Sequence, residues 1–197
     1  MSLSPEFLKR IDVLYHDFRE FDASQSERLS RYRNIEPESA RFLAILIRIQ
    51  GSKRILEIGT STGYSTLWLA DAAQSTQAKV ITLEIDPNRT SKAIDHAKEL
   101  KLDCMIDFKV IDAGLFLQQC TQQFDFILLD AERDAYVDYW EYLQHLLEPK
   151  GGVLIIDNVI SHAHEVQDIL DLIASDSRFI STTLAIGAGM LMVTFKG

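Results

Sequence analysis

The chain has 197 residues, 47% hydrophobic and 25% charged, with a formal net charge of −9 and a pI near 5.0. That length accommodates one domain with a full core, expected to span 1–197. An acidic surface repels phosphate backbones, which disfavours nucleic acid as a partner, and no stretch reaches the roughly 18 apolar residues of a membrane span. The N-terminus lacks the apolar core of a signal peptide, so a cytoplasmic location is expected. Cys104 and Cys120 stand apart from each other and from any His at ligand spacing. They are expected to be buried small hydrophobes, not disulfide or zinc partners.

In chain order, Phe7, Ile11, Leu14, Tyr15 and Phe18 recur at helical spacing, with Ser4 as cap and Pro5 in the first turn. The polar run 22–34 reads as a mobile connection. Its Arg28, Arg31 and Arg33 form the densest basic cluster, read as a solvated linker with a substrate-facing lid as the alternative. Pro37 opens a second helix through Leu43, Leu46 and Ile47, closed by Gly51. These helices make an accessory layer (1–50) ahead of a core (51–197). Strands are predicted at 54–58, 79–84, 106–111, 124–130 and 153–158. Helices are predicted at 64–73, 87–101, 113–119, 134–147 and 163–174. Near-continuous apolar strands alternating with helices indicate an α/β fold, a parallel sheet covered on both faces. RFISTTLAI, then GAG, then MLMVTFK predicts a closing antiparallel hairpin.

In such a sheet, ligands bind beyond the carboxyl ends of the strands. Those ends carry Glu57 and Gly59, Glu84 and Asp86, Asp112, Asp130, and Asp157 with Asn158. All five strands end in a carboxylate. The first loop, GTSTG, lacks the Gly-Lys-Ser/Thr of a P-loop and the central glycine of a dinucleotide fingerprint. Adenosine without a pyrophosphate fits better: Glu84 can accept from both ribose hydroxyls, and Glu57 suits a cationic ligand. S-adenosylmethionine has both features.

LEIGTSTGYS, ITLEIDPN, FDFILLDAERDAY and LEPKGGVLIIDNVISH resemble the metal-dependent class I O-methyltransferases, the group of catechol and caffeoyl-CoA O-methyltransferases. The resemblance runs from about Ile35 to the C-terminal hairpin. It implies a Rossmann-like seven-stranded sheet with a reversed last strand. It also implies that Glu57, Gly59, Thr60, Gly63, Ser65, Glu84, Ile85, Asp112, Ala113, Asp130 and Glu132 line the S-adenosylmethionine pocket. Asp130, Asp157 and Asn158 would hold a divalent cation, normally Mg²⁺, and the chain would form a homodimer. The donor chemistry agrees, since two carboxylates and an amide oxygen suit a hard cation. A small hydroxylated acceptor, catechol-like or a vicinal diol, follows.

The family's lysine after the strand-four Asp is here Arg133, in LDAER. Arginine cannot take a proton at physiological pH but can stabilise an oxyanion. Arg133, Asp130 and His162 are therefore the candidate catalytic residues, with His162 or water as base. Arg133 could instead bind an anionic substrate group, or form a plain ion pair with Glu132 or Asp134. Tyr136 and Trp140 share a helix face, which is expected to serve packing or a dimer contact and not substrate stacking. Two other functions remain open on sequence alone, a tRNA wobble-uridine O-methyltransferase and a non-catalytic cofactor-binding module. NAD-dependent dehydrogenation is the outsider.

Overall fold

The computed structural model describes residues 3–197. The first helix, α1 (Pro5–Ser24), is capped by the Ser4 hydroxyl, which accepts from the Phe7 amide, and it buries Phe7, Ile11, Leu14 and Phe18. It runs past the predicted end into the polar run. Helix α2 (Pro37–Gln50) ends at Gly51. Then follow β1 (Arg54–Ile58), α3 (Tyr64–Thr76), β2 (Lys79–Glu84), α4 (Pro87–Glu99) and β3 (Ile106–Val110). The second half comprises α5 (Ala113–Gln119), β4 (Phe126–Leu129), α6 (Tyr136–Leu146), β5 (Val153–Ile156), α7 (Ala163–Ser175), β6 (Phe179–Leu184) and β7 (Met190–Phe195).

The seven strands form one sheet in the order β3-β2-β1-β4-β5-β7-β6. β1 to β5 pair in parallel, and β7 inserts antiparallel between β5 and β6. Successive side chains on a strand face opposite ways, so each central strand feeds two cores. Phe126 and Leu128 pack with α1, α2 and α3, while Ile127 and Leu129 pack with α5, α6 and α7. The Rossmann-like architecture, the hairpin and the two-sided helix cover agree with the sequence reading. Among the described residues, no helix is long and apolar enough to cross a membrane.

Three local expectations change. β4 and β5 are shorter than their apolar runs suggest, because Asp130, Asp157 and Asn158 follow them at the rim. A 3-10 turn, Arg133–Ala135, precedes α6. Cys104 is exposed and Cys120 half-buried: the first lies in the 3-10 turn Asp103–Met105, the second caps α5. Tyr136 and Trp140 are buried as expected, and the Tyr136 hydroxyl donates to the Ala131 carbonyl at 3.2 Å.

Candidate active site

A cleft of about 840 Å³ opens over the carboxyl ends of β1, β2, β4 and β5. Its floor begins at the loop after β1. Gly59 has φ +106°, and a Cβ there would lie 2.0 Å from the Asp130 carbonyl oxygen, so only glycine lets this loop meet the end of β4. Ser61 also sits in the left-handed region, at φ +48°. Its amide donates to Glu84 Oε2 at 2.7 Å, while the Ile85 and Asp86 amides donate to Oε1 at 3.0 Å each. Three amides fix the Glu84 carboxylate, filling Oε1 and leaving a lone pair on Oε2 for a ligand hydroxyl. Gly59, Ser65, Glu84, Ile85, Asp112, Ala113, Asp130 and Glu132 line the cleft. Asp112 also caps α5, accepting from the Leu115 amide at 2.9 Å.

Glu57, Thr60 and Gly63 lie behind this surface. Glu57 shares the Ile55 face of β1, is fully buried, and accepts from the Thr66 and Thr82 hydroxyls at 2.5 Å each. Thr82's one proton is thereby used, so Thr60 donates to Thr82 at 2.6 Å. Glu57 Oε1 has no partner among the described residues. Burial pushes this carboxyl up to about 7, against the pull of hydrogen bonds from Ser65, Thr66 and Thr82. Ser65, which borders the cleft, connects Glu57 to it. Gly63 is the residue before α3.

Across the cleft, the amide nitrogen of Asn158 lies 3.0 Å from Asp130 Oδ1 and 3.1 Å from Asp157 Oδ2. Asn158 holds a left-handed φ of +68°, unusual for a residue with a side chain. Burial raises the pKa of both acids; the Asp157 carboxylate raises Asp130 further, and Glu36 adds to Asp157, which is pushed up to about 7. Asp157 Oδ1 is buried without a partner among the described residues. Among the described residues no three His, Cys, Asp or Glu side chains converge on an ion site, so any ion here would rest on two carboxylates and one amide. A buried and a half-buried acid side by side, an orphaned oxygen and an amide that offers its oxygen when turned over fit a small hard cation.

The loop carrying Asn158 and His162 leans on the β6–β7 turn. The Val159 amide donates to the Gly189 carbonyl at 3.0 Å, and the Ile160 and Ser161 amides to the Ala188 carbonyl at 3.1 and 2.9 Å. Gly189 has φ +91°, and a Cβ on it would come within 2.3 Å of Ile160. His162 borders the cleft, and burial together with nearby Arg133 lowers its pKa, leaving the ring neutral at neutral pH.

Arg133 pairs with Glu165 of α7, Nε to Oε2 at 2.9 Å, and not with Glu132 or Asp134. Its side chain is only 6% exposed, and its Nη2 has no partner among the described residues. Glu132 is instead bound by Arg33, which holds its carboxyl below the usual range, and lies 3.6 Å from Arg28. The run 25–36 therefore folds across the cleft and is no solvated linker. Asp22 fastens it, accepting from the Tyr32 and Arg33 amides at 2.6 and 2.9 Å. The Tyr32 carbonyl accepts from Ser61 Oγ at 2.8 Å, and Asn34 donates to Thr62 at 2.9 Å. Asp22, Tyr32, Asn34, Thr66, Thr82 and Glu165 were not singled out from sequence. Only Glu165 had a local signal, lying three residues after His162.

The chain matches the family model described as O-methyltransferase over residues 11–195. It is 28% identical over 177 residues to a probable caffeoyl-CoA O-methyltransferase 1 of Dictyostelium discoideum, covering 81% of this chain and 76% of that protein. It is 32% identical over 131 residues to a catechol O-methyltransferase of Niastella koreensis, covering 64% and 58%. The crystal structure of an O-methyltransferase from Bacillus cereus in complex with SAH superposes with a TM-score of 0.79 at 27% identity, over 98% of this chain and 92% of that one.

Proposed function

The chain belongs to the O-methyltransferase family, and on that premise we propose that it transfers a methyl group from S-adenosylmethionine to a hydroxyl of a small vicinal diol, with a divalent cation, Mg²⁺ in the first instance, at Asp130, Asp157 and Asn158. The observation that carries this is one cleft bordered at one end by the amide-fixed Glu84 and at the other by the half-buried Asp130 and Asn158, with Asp157 buried directly behind them. The donor supplies a sulfonium methyl, and the cation supplies Lewis acidity that acidifies a neighbouring hydroxyl.

The protein's part is mostly positioning. Glu84 Oε2 accepts from a ribose hydroxyl, and Asp112 and Ala113 border the adenine. Ser61 and Ser65 present the donor loop, with the Glu57 hydroxyl cage keeping its underside rigid. Arg133 holds fixed positive charge at the acceptor end of the cleft, which favours an acceptor that becomes anionic. Neutral His162 receives the hydroxyl proton on a ring nitrogen. The run 25–36 keeps bulk water from the cleft. A homodimer in the cytoplasm belongs to the same proposal.

Calorimetric titration of S-adenosylmethionine, followed by methyl transfer to catechol with and without EDTA, tests it. Binding with transfer that EDTA abolishes and Mg²⁺ restores is expected. Transfer indifferent to EDTA would refute the metal's part, and absence of binding would refute the whole reading.

A further inference from the structure

Among the described residues, every lysine or arginine that borders the cleft is an arginine: Arg19, Arg28, Arg31, Arg33, Arg89 and Arg133. Three of them form a charge chain at the acceptor end. Arg33 pairs with Glu132, Glu132 Oε2 lies 3.6 Å from Arg28 Nη2, the same Nη2 lies 3.6 Å from Glu165 Oε2, and Glu165 pairs with Arg133. Three guanidiniums thus share two carboxylates. The two 3.6 Å separations are too long for hydrogen bonds, and the Arg28 side chain makes none among the described residues. Arg133 Nη2 is buried with no acceptor, a donor that folding leaves unsatisfied at a real cost. A guanidinium's planar fork matches a carboxylate oxygen pair.

The geometry points to an anion-binding subsite formed by Arg28 and Arg133, which selects acceptors carrying a carboxylate on the body that bears the diol. Glu165 occupies this subsite as an internal stand-in, and the ligand's carboxylate takes over its contacts with Arg28 and Arg133. The inference rests on the methyltransferase reading for the diol, but the anion site is tested without turnover.

Calorimetry of 3,4-dihydroxybenzoate and of uncharged 3,4-dihydroxybenzamide, titrated with magnesium in the presence and absence of S-adenosylhomocysteine, reads the selectivity. The acid should bind at least about tenfold tighter than the amide, as expected for a charge-assisted pair. Arg28→Gln should bring the two within about threefold. Arg28 is half exposed and free of hydrogen bonds, so this variant should fold normally. Glu165→Gln removes the competing carboxylate and should tighten the acid while leaving the amide unchanged, a gain that a merely structural ion pair would not give. Failure of the acid to bind, equal affinities in the unaltered protein, or a ratio that neither substitution moves overturns the inference. Methyl transfer is scored separately. Acid selectivity without transfer to either diol defeats the proposed function and keeps the anion site; transfer without selectivity does the reverse.

Discussion

Replacing Glu57 by Gln isolates the cage beneath the donor loop, because the substitution preserves shape and removes the titrating proton. The folded protein lifts this carboxyl from an ordinary 4.5 to about 7. A raised acid contributes stability that is fully present below pH 4.5, declines as pH climbs, and is gone above 7. The size is (7 − 4.5) multiplied by the 1.36 kcal/mol of one pH unit, on the order of 3 kcal/mol. Glu57→Gln should not lose it. The new amide nitrogen falls where Oε1 already lacks a partner, at a cost of about 1–3 kcal/mol that does not vary with pH. The quantity to read is therefore the change in the difference between the two proteins, not the offset. Asp157 adds the same slope to both proteins and cancels, whereas Asp130, which the Glu57 charge helps to raise, adds a smaller slope to the variant and so reinforces the difference. Urea denaturation from pH 4.5 to 8.5, without magnesium or donor, should show the variant gaining on the parent until about pH 7 and then levelling. Parallel curves would mean that Glu57 is ionised inside the fold and that the cage does not hold a neutral acid.

Gly59→Ala places a methyl 2.0 Å from the Asp130 carbonyl oxygen at φ +106°, and should cost at least about 3 kcal/mol in urea denaturation and abolish donor binding. For Asp157, likewise raised to about 7, burial as a neutral acid is lost as pH rises through that value. Asp157→Asn should then stabilise the magnesium-free protein by about 1–3 kcal/mol at pH 8 while erasing any rise in Tm on adding magnesium. Asp22→Ala removes the acceptor of the Tyr32 and Arg33 amides. Hydrogen exchange at those amides should accelerate, donor affinity should fall about tenfold, and global stability should drop by no more than about 1.5 kcal/mol.

The sheet was legible because its evidence is local: apolar strand runs, helical spacing, and the proline and glycine that bracket α2. The polar rim was legible because strand ends in this architecture face one way, which brings Glu84, Asp130 and Asn158 to one cleft. Glu57 misled in part. A carboxylate at the end of β1 suggests a ligand contact, but strand alternation turns it inward, toward Thr66 and Thr82, and that follows only once α3 is docked. The arginine chain was out of reach. Arg33 and Glu132 are 99 residues apart, and nothing near either announces the other. A polar run such as 22–34 reads as solvated until Asp22 and Ser61 are seen to fasten it.

The props beneath the 158–162 loop have a consequence for how the protein is born. On the ribosome, the strands that build the donor shelf emerge well before residues 188 and 189, whose carbonyls receive the amides of Val159, Ile160 and Ser161. A nascent chain should thus complete the acceptor half of its cleft only when the final hairpin docks against β5.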